Sequence, residues 1–394
     1  MGASEDRDIC CGVTHRIRML DLATPGMDSE YFKSKQYHAP FRSAVDKEPF
    51  QPLAAEPAQY GVSDPVLSAP IDILAEDTPL SDDDQEPIFS SPVDIDLENT
   101  SLPEDDIEPE ISASVNTTAG DRPLVVYAYS ESDNARANLR FFITKGLHNA
   151  ADFVFIFNGD SGAARMVPRK PNVTIVKRDN TCFDLGAIGE VLRKNNLWKR
   201  YKRFITMNAS IRGPFLPWWS KSCWTDLYLG KITETTKLVG MTVNCQPRMH
   251  VQSMILATDD VGMGILLDPA FALSASQDDE FGSKDNPVGL SGCYGDWNAA
   301  VHAEIGTTGL IMKSGYKVDA MMTAAHTVIG GVEAYCEATQ AGDVLFDKEY
   351  FGMNVHPYET VFIKANRDVD PWVLDSMTEW HLKMNTRSSD GCGI

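Results

Sequence analysis

The stretch Arg203-Phe-Ile-Thr-Met-Asn208-Ala-Ser210-Ile-Arg212-Gly-Pro-Phe-Leu-Pro217 decides how this chain is read. Arg203–Asn208 is a short, mostly apolar run of the kind that forms a buried strand. It stops in the polar triplet Asn208-Ala209-Ser210, followed by Gly213-Pro214 and Pro217. In an open α/β sheet, ligands sit beyond the carboxyl ends of strands, where loops present side chains and backbone N–H groups. The triplet is therefore placed either to hold a charged ligand or metal, or to make an ordinary Asn/Ser turn.

Outward from this stretch, apolar runs alternate with helix-spaced segments. Upstream, 124–129, 153–157 and 173–176 read as strands, and 133–148 and 185–195 as helices, the second with Asp184 as its N-cap. Downstream, 224–231 and 259–267 read as helices, and 238–243 and 251–257 as strands. A long helix follows over 296–314, ending at Gly315, and then strands over 317–322 and 360–364. This alternation predicts an α/β fold, a mostly parallel sheet flanked by helices on both faces. Residues 122–385 are expected to form the one folded domain, with a C-terminal tail over 386–394.

The formal charge of −21 is not spread evenly over the 394 residues. Residues 1–47 balance, with seven acidic and seven basic side chains. Residues 48–121 hold 19 acidic residues and no Lys or Arg. From Arg122 onward there are 30 acidic and 28 basic residues, so the folded part is nearly neutral. A segment rich in Pro, Ser, Asp and Glu cannot bury enough apolar surface to offset its chain entropy, so 1–121 is expected to be a largely disordered acidic region. With no basic footprint, nucleic acid is not an expected partner.

The eight cysteines are scattered and do not read as a disulfide framework, nor does any pair have zinc-site spacing. No apolar run approaches the ~20 residues of a membrane helix, and no signal peptide is visible. The chain as written therefore reads as soluble and cytoplasmic. Sequons occur at Asn99, Asn116, Asn172 and Asn208.

Common catalytic signatures are absent: there is no GxxxxGK[ST], no GxGxxG after the first strand, no GxSxG and no HExxH. What remains is an ordered set of strings. They are Asp184-Leu-Gly-Ala-Ile-Gly-Glu-Val-Leu192, Asn208-Ala-Ser-Ile-Arg-Gly-Pro-Phe-Leu-Pro217, Trp224-Thr-Asp-Leu227, Lys237-Leu-Val-Gly240, His250-Val-Gln-Ser-Met254, and Glu304-Ile-Gly306 with Gly315-Tyr316. In this order they resemble nucleotide-sugar-dependent glycosyltransferases of the GT-A type, in particular the rhamnan-synthesis-protein-like family. The resemblance implies a GT-A-like, Rossmann-like sheet and a nucleoside diphosphate sugar as donor.

It also implies roles. Asn180 and Asp184 match the turn and helix that pack near the nucleotide. Asn208-Ala209-Ser210 stands where the family carries an Asp-x-Asp that binds Mg²⁺ or Mn²⁺ and the diphosphate. Neutral amide and hydroxyl oxygens hold hard cations more weakly than carboxylates do. A metal at Asn208, Ser210 and His356 is thus one expectation, and a diphosphate met by Arg212 and backbone N–H groups is the other. Glu304 matches the acceptor-activating base of inverting enzymes, with Asp296 as the alternative base. His250 and Gln252 are expected near donor or acceptor. Trp218, Trp219, Trp224 and Trp297 are placed either to stack on sugar rings or to pack in the core. The implied reaction is sugar transfer to a glycan hydroxyl, as in polysaccharide biosynthesis. The alternative is a catalytically weak nucleotide- or glycan-binding relative that lacks Asp-x-Asp. The family implies a Golgi or endomembrane location, against the cytoplasmic reading of the chain itself.

Overall fold

The computed structural model describes residues 122–367 and 369–392. The acidic segment and its reading as disordered, Cys10-Cys11, Asn99 and Asn116 lie outside them. In chain order the elements begin β1 (Leu124–Ser130), α1 (Asp133–Lys145), β2 (Asp152–Asn158), β3 (Val173–Arg178), α2 (Phe183–Arg193), β4 (Arg203–Asn208) and β5 (Ile211–Arg212). There follow α3 (Trp224–Leu229), β6 (Thr236–Gly240), β7 (Val243–Asn244), β8 (His250–Val251), β9 (Ile255–Asp259), α4 (Asp260–Leu267) and α5 (Trp297–Lys313). The last are β10 (Lys317–Ala320), α6 (Gly331–Thr339), α7 (Pro357–Thr360), β11 (Ile363–Lys364) and α8 (Pro371–Lys383).

Seven strands form one sheet in the order β10-β6-β9-β4-β1-β2-β3. All neighbours are parallel except β9, which runs antiparallel to both β4 and β6. This is the mostly parallel, helix-flanked α/β sheet that the alternation predicts. Its central strand shows why: Leu124 through Tyr129 are each at most 1% exposed, so both faces of β1 must be apolar. On one face Phe142 of α1 packs on Tyr127 and on Trp224, with ring centroids 5.0 and 5.8 Å apart. The Trp224 indole N–H donates to the Gly146 carbonyl at 2.8 Å, so this ring is buried with no unpaired polar atom. Burial of each such side chain contributes roughly 1.5–3 kcal/mol.

Helix boundaries follow their caps where a side chain can accept. Ser132 accepts from the Ala135 N–H at the start of α1, and Asp259 from the Gly262 N–H at the start of α4. The start of α2 differs from expectation. Its N-cap is Cys182, left-handed at φ 68° and without a side-chain cap bond, and Asp184 lies in the first turn. The body of α2 is closely covered: a Cβ on Gly189 would lie 1.6 Å from the Leu290 carbonyl oxygen, so the loop before α5 lies directly on α2.

Three disulfides correct the reading of the cysteines: Cys182–Cys293, Cys223–Cys392 and Cys245–Cys336, with sequence separations of 111, 169 and 91. Each joins separate elements, so linear spacing carries no trace of the pairing. The segment read as a tail is tied to the domain. Cys392 is bonded to Cys223, and the buried Ser388 hydroxyl donates to the Pro214 carbonyl at 2.9 Å. The expected strand over 238–243 ends earlier, as β6, and the chain turns back through the β7–β8 ribbon. The expected strand over 360–364 is instead α7 followed by β11, which pairs with β5. Helices α6 and α8 were not anticipated. The sequons Asn172 and Asn208 are both buried, with Asn172 Nδ2 donating to the His148 and Ala151 carbonyls. Among the described residues no helix is long and apolar enough to cross a membrane.

Candidate functional site

The strand order reverses beside β1, with β2 and β3 on one side and β4 on the other. The crevice outside the carboxyl ends at such a reversal is where open α/β sheets bind ligands. Here those ends are polar: Ser130, Asn158 and Asn208 close β1, β2 and β4. Beyond β2 and β3 lies a cavity of about 370 Å³ lined by Gly159, Asp160, Ser161, Lys177, Arg178 and Asn180, among others. Arg178 is fixed there by the Asn158 side chain at 2.8 Å and by Glu190 of α2 at 2.6 Å. Ser130 Oγ donates to Asn180 Oδ1 at 3.3 Å, which links the cavity to the end of β1.

The end of β4 is a small closed network. Asn208 Oδ1 accepts from the Ser210 N–H at 3.1 Å and from the Ser210 hydroxyl at 2.5 Å. Asn208 Nδ2 donates to Asp184 Oδ2 at 2.8 Å. The sequence did not single out Lys364. Antiparallel pairing of β11 with β5 sets Lys364 opposite Ile211, and the Ala365 N–H donates to the Ser210 carbonyl at 2.9 Å. Burial pushes the Asp184 carboxyl above the usual aspartate range, the Glu304 charge adds to the push, and Lys364 and the Asn208 bond oppose it. Burial also lowers the Lys364 ammonium, against the charges of Glu304, Asp343 and Asp184. Among the described residues, the ammonium has no hydrogen-bond or salt-bridge partner, although two carboxylates of the crevice feel its charge.

Glu304 stands on α5, which crosses the β7–β8 ribbon: the Val251 N–H donates to Thr308 Oγ1 at 2.8 Å. Ser253 holds Glu304 Oε2 through its N–H at 3.0 Å and also through its hydroxyl. The other oxygen, Oε1, faces His250 Nε2 at 3.9 Å. Nδ1 of His250 lies 2.8 Å from the Arg248 carbonyl and must carry the proton, because a carbonyl can only accept. Glu304 thus has one oxygen anchored on Ser253 and the other directed at the Nε2 edge of the His250 imidazole.

The structure therefore gathers Asp184, Asn208, Ser210, Glu304 and His250 with Lys364 and Ser253. Other expected residues lie elsewhere. Arg212 is buried and engaged by Asn138 of α1 at 2.8 Å and Thr378 of α8 at 3.1 Å, so it ties two helices together. Gln252 accepts from the Thr242 hydroxyl at 2.7 Å and braces the ribbon. Asp296 caps α5 through the Ala299 N–H at 2.9 Å. His356 caps α7 and lines a second cavity of about 460 Å³ with Asp347, Lys348, Asn354 and Asp370. Trp224 is core, whereas Trp218, Trp219 and Trp297 are exposed by 74%, 67% and 61%, with Trp297 in an edge contact with Phe281 at 5.6 Å.

The donor set around Asn208 does not fit Mg²⁺ or Mn²⁺. Hard divalent cations gather several anionic or water oxygens at once. Here the Asn208 oxygen is taken by Ser210, Asp184 is bound to Asn208, Glu304 is bound to Ser253, and a lysine cation shares the space.

No family model matches this chain, and no curated protein does. Among solved structures, the WbbM bifunctional glycosyltransferase is similar at 11% identity with a TM-score of 0.25, over 37% of this chain and 34% of that one. A cytidylyltransferase from Leptospira borgpetersenii serovar Hardjo-bovis is similar at 12% identity with a TM-score of 0.24, over 37% of this chain and 63% of that one. Similarities this low carry no argument about the site.

Proposed function

We propose that the chain is a GT-A-like glycosyltransferase that moves a sugar from a nucleoside diphosphate donor to a glycan hydroxyl with inversion. The observation that carries this reading is the meeting, at the topological switch point, of the Asp184–Asn208–Ser210 network, the unpartnered Lys364 ammonium and the Ser253-anchored Glu304. In this reading the nucleotide lies over the crevice beside Asn180 and Asp184. The Lys364 ammonium, in place of a divalent cation, neutralises the diphosphate as the glycosyl bond to its oxygen breaks. Glu304 Oε1 takes the proton from the acceptor hydroxyl as that oxygen attacks the anomeric carbon from the opposite face. Anchoring Oε2 on Ser253 leaves Oε1 as the oxygen available for that step. Trp297, exposed in the first turn of α5, offers a face for the acceptor ring.

Calorimetric titration with UDP-, GDP- and dTDP-sugars, with and without Mn²⁺, tests the reading. Binding of one nucleotide sugar with equal affinity in both conditions is expected. No binding of any of them would remove the enzyme reading, and binding only with Mn²⁺ would remove the role of Lys364. Binding without measurable transfer would favour the catalytically weak relative. Three disulfides favour an oxidising compartment such as the endomembrane lumen. Thiol alkylation of the protein taken from its native source tests this, and six free thiols at those positions would refute it.

A further inference from the structure

The end of the sheet opposite the crevice carries a second cluster. His148 follows α1 and precedes β2, Cys223 is the N-cap residue of α3, and Cys392 is its disulfide partner. One ligand atom from each, an imidazole nitrogen and two sulfurs, lie within 4.8 Å of one another. His148 is only 7% exposed, and neither ring nitrogen has a hydrogen-bond partner among the described residues. Its backbone is pinned by Asn172, and its ring stands edge-on to Phe153 and Trp224 at 5.4 and 6.1 Å. A buried imidazole with two bare nitrogens loses its water without compensation, which folded proteins rarely tolerate without a purpose. Within 4.8 Å of one of those nitrogens lie the two sulfurs.

We infer that His148, Cys223 and Cys392 form a redox-gated zinc site, closed as a disulfide and opened by a dithiol or phosphine reductant. The reductant gives two electrons to the S–S bond, which breaks, and each sulfur takes up a proton as the reductant is oxidised. Zn²⁺ then displaces the two thiol protons and is bound by two thiolates and one neutral imidazole nitrogen, with water in the fourth position. Two soft sulfurs and an imidazole nitrogen are donors that zinc prefers. A tetrahedral site needs its sulfurs about 3.8 Å apart and each about 3.5 Å from the nitrogen, given Zn–S near 2.3 Å and Zn–N near 2.0 Å. The three ligand atoms already lie within 4.8 Å of one another, and the sulfurs must separate once the S–S bond is cut. Cys392, partly exposed in a turn closed by its N–H to the Ser389 carbonyl, is the side that can move. Thr225 supplies an outer contact, its hydroxyl 3.0 Å from Cys223 Sγ and able to donate to a thiolate. Nucleotide binding at the opposite end is not involved.

The experiment titrates Co²⁺, as a visible stand-in for Zn²⁺, into the anaerobic full chain, either oxidised or reduced with a phosphine. The reduced protein is expected to show tetrahedral cobalt–thiolate absorption, displaced by Zn²⁺, and the oxidised protein none. H148F should weaken this site roughly a hundredfold, at or beyond the loss that outer-shell changes cause. C392S should do the same while leaving His148 in place, which keeps the test sound if H148F does not fold by circular dichroism. The proposal fails if the reduced chain binds no cobalt, if its cobalt is only octahedral, or if both variants bind as the parent does. In that last case other thiols are the ligands.

Discussion

Replacing Lys364 by methionine removes from the end of β4 a cation that has no hydrogen-bond or salt-bridge partner among the described residues, while keeping a side chain of similar length. A unit charge about 4 Å from a phosphate oxygen is worth roughly 4 kcal/mol at an effective dielectric of 20. Lys364 is partly buried, so solvent screens some of this, and its charge is already offset by Asp184 and Glu304. Without it, those carboxylates would repel the incoming diphosphate. These corrections act in opposite directions, and a net loss of about 2–3 kcal/mol is expected, or some 30- to 150-fold in nucleotide affinity. The assay is calorimetry with the tightest-binding nucleoside diphosphate at two ionic strengths, on K364M, K364R and the parent. K364R should keep most of the affinity, because a guanidinium still carries the charge. Thermal unfolding of each variant separates lost binding from lost folding. K364M binding within twofold of the parent would refute the role of Lys364.

Glu304→Gln should lower the transfer rate by about 10²–10⁴-fold with donor affinity unchanged, because a base acts on the acceptor alone. Full transfer activity in a steady-state assay would dismiss it. Asp184 has its pKa raised by burial, so its ionisation favours the unfolded chain. Its favourable, protonated contribution is complete below the ordinary aspartate range and is lost as pH rises through the raised value. Asp184→Asn should therefore raise Tm at neutral pH, with the gain shrinking as pH falls, while weakening donor binding. A Tm difference that does not vary with pH would refute the linkage. Gly189→Ala would drive a methyl into the Leu290 carbonyl, where the gap is 1.6 Å, and should destabilise by about 1–3 kcal/mol in chemical denaturation. A neutral result would mean that the 290–293 loop is free to lift. Trp224→Ala should cost about 3–5 kcal/mol in the same experiment, since the ring fills the core between α1 and α3.

The sheet was legible because covered parallel strands are continuous apolar runs. Leu124–Ser130 and Asp152–Asn158 announce themselves that way, and their ends are right to within a residue or two. Glu304 was singled out through the resemblance, but its anchoring by Ser253, 51 residues earlier in the chain, was not legible from the string His250-Val-Gln-Ser. Lys364 was not legible, because its place depends on β11 returning to β5 across some 150 residues, and nothing local encodes that pairing. Arg212 looked like an anion clamp from its position after the triplet. The strand β5 instead points it at Asn138 and Thr378, a contact with α8 that a neighbour-by-neighbour reading does not contain. Cys182 defeated the cap rule for α2 because its side chain has no oxygen to accept a cap bond and is joined instead to Cys293. Helix α8 did carry a signal, Asp370-Pro371, an acceptor followed by a proline at the first helical position.

The β11–β5 ribbon also bears on how the protein is made. Synthesis runs from the amino end, so all seven strands of the main sheet are available once Ala320 has emerged. Asp184, Asn208 and Glu304 are then in the chain, but Lys364, whose charge acts on both carboxylates, is not. Lys364 arrives later, on a two-residue strand that docks onto an edge already formed. A nascent or truncated chain ending between these points would hold a complete sheet whose crevice lacks the Lys364 charge. The charge balance of the crevice is thus completed after its walls, as a separate, late event.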